Sequence, residues 1–145
     1  MMCSFPRRAQ RSVVLICLTW LVAGFAVAQD PKATAAQAAA REWLALADRA
    51  DAQASWNAAG KKFQEAMPAT GWSDALAKER TPLGPMKSRT IFKTGFKKKF
   101  QGTPEGEYAL IVYTTSFANK VRGQETLTLE RESDGSWRVV GYSIR

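Results

Sequence analysis

Asp48 and Asp51 stand three residues apart in an alanine-rich stretch, a spacing at which two carboxylates can share one helix face. A pair of that kind can contribute to a hard-cation site. Such a site takes six or more oxygens, and no further carboxylate accompanies the two at a ligand spacing. Capping and solvation are the plainer roles. The 145-residue chain contains no histidine, and its two cysteines are Cys3 and Cys17. Beyond Cys17 there is neither imidazole nor thiolate. Serine–histidine and cysteine–histidine hydrolysis and ordinary zinc sites are excluded on that ground. No glycine-rich loop leads into a Lys–Ser/Thr pair, so no nucleotide phosphate site is expected. Neither a catalytic residue nor a metal or cofactor site is expected.

What remains is chemistry suited to binding. Lys97, Lys98 and Lys99 run between Phe96 and Phe100. One reading is a solvated edge strand whose lysines prevent edge-to-edge pairing. The other is a patch for an anionic partner, either lipid headgroups or an acidic protein. Nucleic acid is not expected, because three lysines attract phosphate without specificity. Arg89, Tyr113 and Tyr142 join apolar bodies to polar tips near the expected central strands, which makes them candidates for the polar groups of a pocket. Arg89 has Glu107 and Glu125 as alternative ion-pair partners. Trp56 is a candidate for a pocket floor, with plain core packing as the alternative. Asn119 follows an aromatic at a loop start and suits a turn conformation.

These side chains need elements to hold them. Arg7, Arg8 and Arg11 precede an apolar run from Val13 to Val27, and Ala26-Val27-Ala28 offers small residues at the positions a signal peptidase reads. Residues 1–28 are therefore expected to be a signal peptide, cleaved near Ala28. The product would be periplasmic or secreted, and not an integral membrane protein once processed. The run is about 15 residues, whereas a spanning helix wants roughly 20. Three basic and no acidic residues precede Gln29, so residues 29–145 carry 18 basic against 13 acidic residues and a net charge of +5 instead of +8. One domain over 29–145 is expected.

Ala36, Ala40, Trp43 and Ala47 recur at helical spacing, which predicts a helix from about Thr34 to Ala50. Asp51 is a cap for a second helical segment carrying Trp56, Phe63 and Met67, with a bend at Gly60. A third begins near Thr70 or Ser73, with Ser73 as cap and Trp72 as the apolar staple before it, and runs to Arg80. Pro82-Leu83-Gly84-Pro85 stops it. Four strands follow: Arg89 to Phe100 with a bulge or bend at Gly95, Glu107 to Phe117, Glu125 to Arg131, and Trp137 to Ile144. Apolar bulk on both faces of the second strand marks it as central. Leu127, Leu129, Trp137 and Val139 are expected to line one buried face. The fold class is α+β, with N-terminal helices packed on a curved four-stranded antiparallel meander. Strong curvature would leave a cone or cleft at one end.

Several segments together carry a family likeness. They are Ala40-Arg41-Glu42-Trp43-Leu44, Ser55-Trp56, Pro82-Leu83-Gly84, Pro104-Glu105-Gly106-Glu107-Tyr108, Thr115-Ser116-Phe117-Ala118-Asn119-Lys120, and Asp134-Gly135-Ser136-Trp137-Arg138-Val139 with Gly141-Tyr142-Ser143-Ile144-Arg145. With these the chain resembles the DUF4019 family of small exported bacterial proteins of unknown function, from Ala39 to Arg145. The resemblance implies an NTF2-like or cystatin-like fold. It brings no activity, ligand or catalytic residue.

The leading expectation is a non-catalytic periplasmic binding or protein-interaction module, taking a small apolar ligand or a protein partner. Two alternatives stay open. One is a small acid–base enzyme with a lone carboxylate or tyrosine in an NTF2-like cavity. The other is a structural protein that forms a homodimer through a free sheet face.

Overall fold

The computed structural model describes residues 29–145. The leader expected over residues 1–28, with Cys3 and Cys17, lies outside the described residues. Helix α1 spans Pro31–Asp48. Asp30 caps it by accepting from the Lys32 N–H at 2.9 Å, and Pro31 occupies the first turn, where a missing N–H costs nothing. The stripe read from the sequence is the buried one: Ala36, Ala40, Trp43, Leu44 and Ala47 all lose contact with solvent. Asp51 caps α2 (Ala52–Ala58), accepting from the Ala54 N–H at 3.0 Å. The chain breaks at Gly60 before α3 (Lys61–Ala66).

Helix α4 covers Ala69–Arg80, with Pro68 as its N-cap. The helix therefore starts four residues before Ser73, and Trp72 is an interior core residue instead of a staple. The Trp72 N–H donates to the Pro68 carbonyl at 2.9 Å, so the backbone is already helical where the side-chain cap was expected. A 3-10 turn at Thr81–Leu83 ends the helical half.

The sheet contains β1 (Met86–Lys97), β2 (Tyr108–Phe117), β3 (Lys120–Arg131) and β4 (Trp137–Ile144), in the order β1-β2-β3-β4 with every pair antiparallel. The meander stands. The strongly curved sheet does not, and the expected NTF2-like or cystatin-like curvature is corrected. Strands pair only with their neighbours in sequence, β1 and β4 remain separate edges, and the sheet is neither closed nor strongly curled. Closure would require the first and last strands to pair. Gly95, the residue expected to bend β1, pairs with Leu110 inside an unbroken register from Lys93 to Lys97. The irregularities fall elsewhere, at Met86/Ser88, Ile91/Lys93, Thr115/Phe117 and Thr128/Leu129. Aromatic rings pack between the helices and the sheet.

Those rings pack as a cluster. Phe63 and Trp72 meet edge to face with centroids 5.0 Å apart, and Trp43 lies 5.6 Å from Trp72 and 5.2 Å from Tyr142. Buried indoles need acceptors. Trp43 Nε1 donates to the Ser55 carbonyl at 2.8 Å, and Trp72 Nε1 donates to Ser55 Oγ at 2.9 Å. One residue of α2 thus anchors α1 and α4 together. Leu127, Leu129, Trp137 and Val139 complete this core from the sheet side.

The two sheet edges differ. On β4 the Gly60 N–H donates to the Val139 carbonyl at 2.8 Å, so the α2–α3 junction covers part of that edge. A side chain at residue 60 would place its Cβ 3.0 Å from Val140 Cγ1, which explains a glycine at this close approach. The β1 edge is uncovered and carries exposed Lys87, Lys93 and Lys97. Among the described residues, no helix is long and apolar enough to cross a membrane.

Candidate functional site

Three charged residues sit in phase with apolar stripes and are drawn into the interior by them. Arg80 follows Trp72 and Leu76 at steps of four on the buried face of α4. Glu125 precedes Leu127 and Leu129 at steps of two on the buried face of β3. Asp48 is four residues beyond Leu44 at the end of α1. Arg89 approaches from β1, where it pairs in register with Thr115 of β2. The result is a charge cluster between helices and sheet.

Glu125 is fully buried. Its Oε1 accepts from Arg80 Nη1 at 3.0 Å, from Arg89 Nη2 at 3.1 Å and from the Tyr142 hydroxyl at 2.7 Å. Its Oε2 accepts from Arg89 Nε at 2.6 Å and from Thr115 Oγ1 at 2.5 Å. Asp48 receives Arg89 through two bonds of 2.8 Å and is also paired with Arg80. Arg80 Nη1 further donates to the Tyr142 oxygen at 2.8 Å, and the Arg80 guanidinium lies 5.3 Å from the centre of the Phe117 ring. Two carboxylates face two guanidiniums, so the cluster is formally neutral.

The titration behaviour follows from this geometry. Burial by itself would raise the Asp48 carboxyl. Hydrogen bonds from Arg89 and Arg80, and then their charges, outweigh it and hold the group below the ordinary aspartate value. Burial pushes the Tyr142 hydroxyl upward, and the Glu125 charge adds to the rise. Arg89 gives up hydration but gains two carboxylate partners, which raise its affinity for the proton further. Both carboxylates are held in place by guanidinium forks. The arrangement suits rigid positioning better than proton transfer near neutrality.

Two clefts flank the cluster and share Asp48. The first, of about 360 Å³, lies between the end of α1 and α4 and is bordered by Ala50, Ser73, Leu76, Arg80 and Pro85. The second, of about 470 Å³, lies between α1 and β1. Arg41 and Ala45 border it from α1, Arg89, Thr90 and Ile91 from β1, and Tyr113 from β2. Both volumes fall in the range of small-molecule sites.

The second cleft has a feature the first lacks. Tyr113 is 2% exposed, and its hydroxyl is the one buried side-chain polar atom among the described residues with no hydrogen-bond partner in the protein. Burial raises this hydroxyl above the ordinary tyrosine value, and the Arg41 and Arg89 charges partly oppose the rise. Among the described residues, Arg41 has no carboxylate within 4 Å and makes no side-chain hydrogen bond. The cleft thus adds one uncompensated cation and one idle donor to a neutral cluster.

The structure brings Asp48 and three of the other residues singled out from the sequence into one place. Arg89 and Tyr142 are in the cluster, and Tyr113 is beside it, facing Ile91 on one neighbouring strand and Glu125 on the other. Of the two candidate partners, Arg89 pairs with Glu125. Glu107 instead pairs with Lys32 and Arg131.

The other candidates lie apart. Trp56 is half-buried at the core margin, with Nε1 donating to the Met67 carbonyl at 2.8 Å. Lys97, Lys98 and Lys99 are exposed where β1 runs out, and Lys97 Nζ is 5.0 Å from the centre of the Phe100 ring. Asn119 is exposed at the β2–β3 turn, where its side-chain amide donates to the Pro82 carbonyl at 3.1 Å. Asp48 and Asp51 do not form a pair, since one joins the cluster and the other caps α2. Among the described residues, no group of three or more candidate metal ligands converges. Arg41, Arg80 and Thr115 were not among the candidate site residues, and Glu125 was named only as a possible partner of Arg89. Their phase with the buried stripes was the available signal for Arg80 and Glu125.

A family model described as a protein of unknown function, DUF4019, matches residues 39–142. The chain belongs to the DUF4019 family. No curated protein sequence and no solved structure matches it. The matched span of this DUF4019 domain contains every member of the charge cluster and every residue bordering the α1–β1 cleft.

Proposed function

We propose that this DUF4019 domain is a non-catalytic binding module that takes a small ligand in the cleft between α1 and β1. One observation carries the reading. The Tyr113 hydroxyl is buried without a protein partner at a cleft of suitable volume. An unsatisfied buried hydroxyl costs about 1–3 kcal/mol, and phenylalanine would occupy the same space without that cost. A destabilising polar atom at a cleft is the kind of feature that ligand binding accounts for. The charge cluster then serves as a rigid wall, with Asp48 and Arg89 locked by one another. The acid–base alternative is less well supported, because both buried carboxylates are gripped by arginines. We further propose that the domain works in the periplasm or outside the cell, with residues 1–28 as its leader. The basic start and the short apolar run ending at Ala26-Val27-Ala28 support this.

Amide chemical shifts of the ¹⁵N-labelled protein test the reading, using a fragment set of anionic, cationic and neutral small molecules. Binders are expected to move the amides of Ala45, Thr90, Ile91 and Tyr113. Ala45→Trp fills the cleft from an exposed helix position and is expected to abolish those shifts while the fold persists. A set in which no fragment moves these amides, or in which Ala45→Trp binds as well as wild type, overturns the proposal.

A further inference from the structure

The cleft's charge and lining specify its ligand more narrowly, on the assumption that the binding reading above holds. We infer that the α1–β1 cleft takes a monocarboxylate with an apolar body, its carboxylate received by Arg41 and the Tyr113 hydroxyl and its apolar part lying against Ala45 and Ile91.

Three observations lead there. The first is net charge. Asp48, Glu125, Arg80 and Arg89 cancel within the cluster, and Arg41 is the remaining charged residue bordering the cleft. The site therefore carries one positive charge, which matches a single negative one. A dianion would leave one charge unmatched in a partly desolvated site, and a cation would be repelled.

The second is donor count. Arg89 commits four of its five N–H groups to Asp48 and Glu125, so it is a wall and not a free fork. Arg89 keeps one N–H and exposed Thr90 its hydroxyl, whereas Arg41 and Tyr113 have every side-chain donor free. Both can donate to the two oxygens of one carboxylate. The Tyr113 oxygen could also accept from an ammonium group, but the Arg41 charge beside it repels a cation. Hydrogen bonds to a charged acceptor are the strong ones.

The third is the rest of the surface. Ala45 is exposed on α1 and Ile91 is 38% exposed on β1, beside Tyr113 in the ladder. An exposed isoleucine at the rim is apolar surface available for cover. The Tyr113 hydroxyl is buried, so a ligand that reaches it must displace a neighbouring side chain. The neighbouring cleft at α4 offers no such set. It is bordered by the mutually paired Asp48 and Arg80 and holds no unpartnered buried polar atom.

A matched series of probes tests the inference by calorimetry on the purified protein: 4-phenylbutyrate, 4-phenylbutan-1-ol and 4-phenylbutylamine. The carboxylate is expected to bind at least about tenfold more tightly than the alcohol, and the amine is expected not to bind, as follows from the strength of charge-assisted hydrogen bonds. Tyr113→Phe is expected to weaken the carboxylate about tenfold and the alcohol by much less, because a bond to a charged acceptor is the stronger one. Arg41→Gln is expected to bring the two within about threefold of each other, in line with the loss of one partly solvated charge. Tyr113→Phe removes only a hydroxyl, and thermal melting reports separately whether it stays folded.

Equal binding of acid and alcohol, or tightest binding of the amine, overturns the ligand class and leaves the binding module standing. Binding of the acid that neither variant affects overturns the assignment of its two receivers. Failure of all three probes, when the fragment set does shift the cleft amides, also overturns the ligand class. Silence of both sets removes the binding reading itself.

Discussion

Glu125 and Tyr113 face each other across the β2–β3 ladder, and their polar atoms have opposite surroundings. Glu125 accepts five hydrogen bonds from four residues. The Tyr113 hydroxyl receives and gives none within the protein. Both side chains are on the helix-covered face, and both are almost entirely removed from water. Burial alone therefore does not decide whether a polar group is satisfied. The difference lies in what the facing elements supply. Opposite Glu125, α4 contributes Arg80, β1 contributes Arg89 and β4 contributes Tyr142. Opposite Tyr113, α1 contributes the small Ala45 and leaves a cleft. One region is closed on itself and fixed, whereas the other is left with capacity to spare.

The most forceful way to break this contrast is to open the closed region. Glu125→Ala leaves two buried guanidiniums with Asp48 as their only carboxylate. Removing one partner of a buried ion pair costs about 3–5 kcal/mol. The variant is expected to unfold at much lower urea than wild type, and equilibrium unfolding followed by tryptophan fluorescence checks this. A loss below about 1 kcal/mol would mean that water replaces the carboxylate at little cost, and the cluster would not be the rigid wall described above.

Acid probes the same region without mutation. The folded Asp48 carboxyl lies below its ordinary value of 3.8. A lowered folded value means that the unfolded chain takes up the proton first on acidification. The stabilisation is thus fully present above the unfolded value and is lost as pH falls through the folded one. Asp48→Asn is expected to flatten the stability profile below about pH 4 relative to wild type, as the linkage relation requires. Urea midpoints taken from pH 6 down to pH 2 check it. An unchanged acid limb would show that Asp48 does not sense the arginines.

The contrast also marks what could be read from the sequence. Alternation in β3 put Glu125 in step with Leu127 and Leu129, and Arg80 is in step with Trp72 and Leu76. A charged residue in phase with a buried stripe was legible as a buried charge, yet periodicity was used only for the apolar members. Arg89, Tyr113 and Tyr142 were found because they carry polar tips on strand positions. Their grouping depended on strand register, which alternation does not set on its own. The sheet's curvature was misjudged for a related reason. A single glycine and an apolar run on both faces of β2 fit a flat central strand as well as a bent one, and Gly95 pairs in plain register with Leu110. Of the two starts read for α4, Thr70 falls within one residue of the observed Ala69, and the Ser73 cap fails because Pro68 serves as a cap without any side-chain bond, a role that leaves no sequence mark comparable to serine or aspartate.

A smaller change of opposite sign sharpens the comparison from the other side. Tyr113→Phe removes a buried hydroxyl that has no partner. The variant is expected to be more stable than wild type by about 1 kcal/mol, from the desolvation penalty it relieves. Thermal melting in the absence of any ligand checks this. A destabilised Tyr113→Phe would mean that the hydroxyl is satisfied in solution, and the cleft would lose the feature that sets it apart from the closed region.

The smallest effect is expected at Ala50, at the border of the cleft beside α4. It is the one non-glycine residue among those described with positive φ, at 56°. It follows the C-terminal end of α1, where a left-handed residue lets the chain turn toward Asp51 and the start of α2. An L-residue pays about 1–2 kcal/mol for that conformation because its Cβ crowds the following carbonyl. Glycine avoids the crowding but has more unfolded-state freedom to lose, about 0.4–1 kcal/mol. Ala50→Gly is therefore expected to stabilise the protein by about 0.5 kcal/mol, the difference between those opposing effects, read as a small rise in the urea midpoint. Strain at Ala50 is a backbone matter, set by the turn between two helices and independent of any ligand. If Ala50→Gly raised stability as much as Tyr113→Phe, the unpartnered hydroxyl would no longer stand out from ordinary local strain.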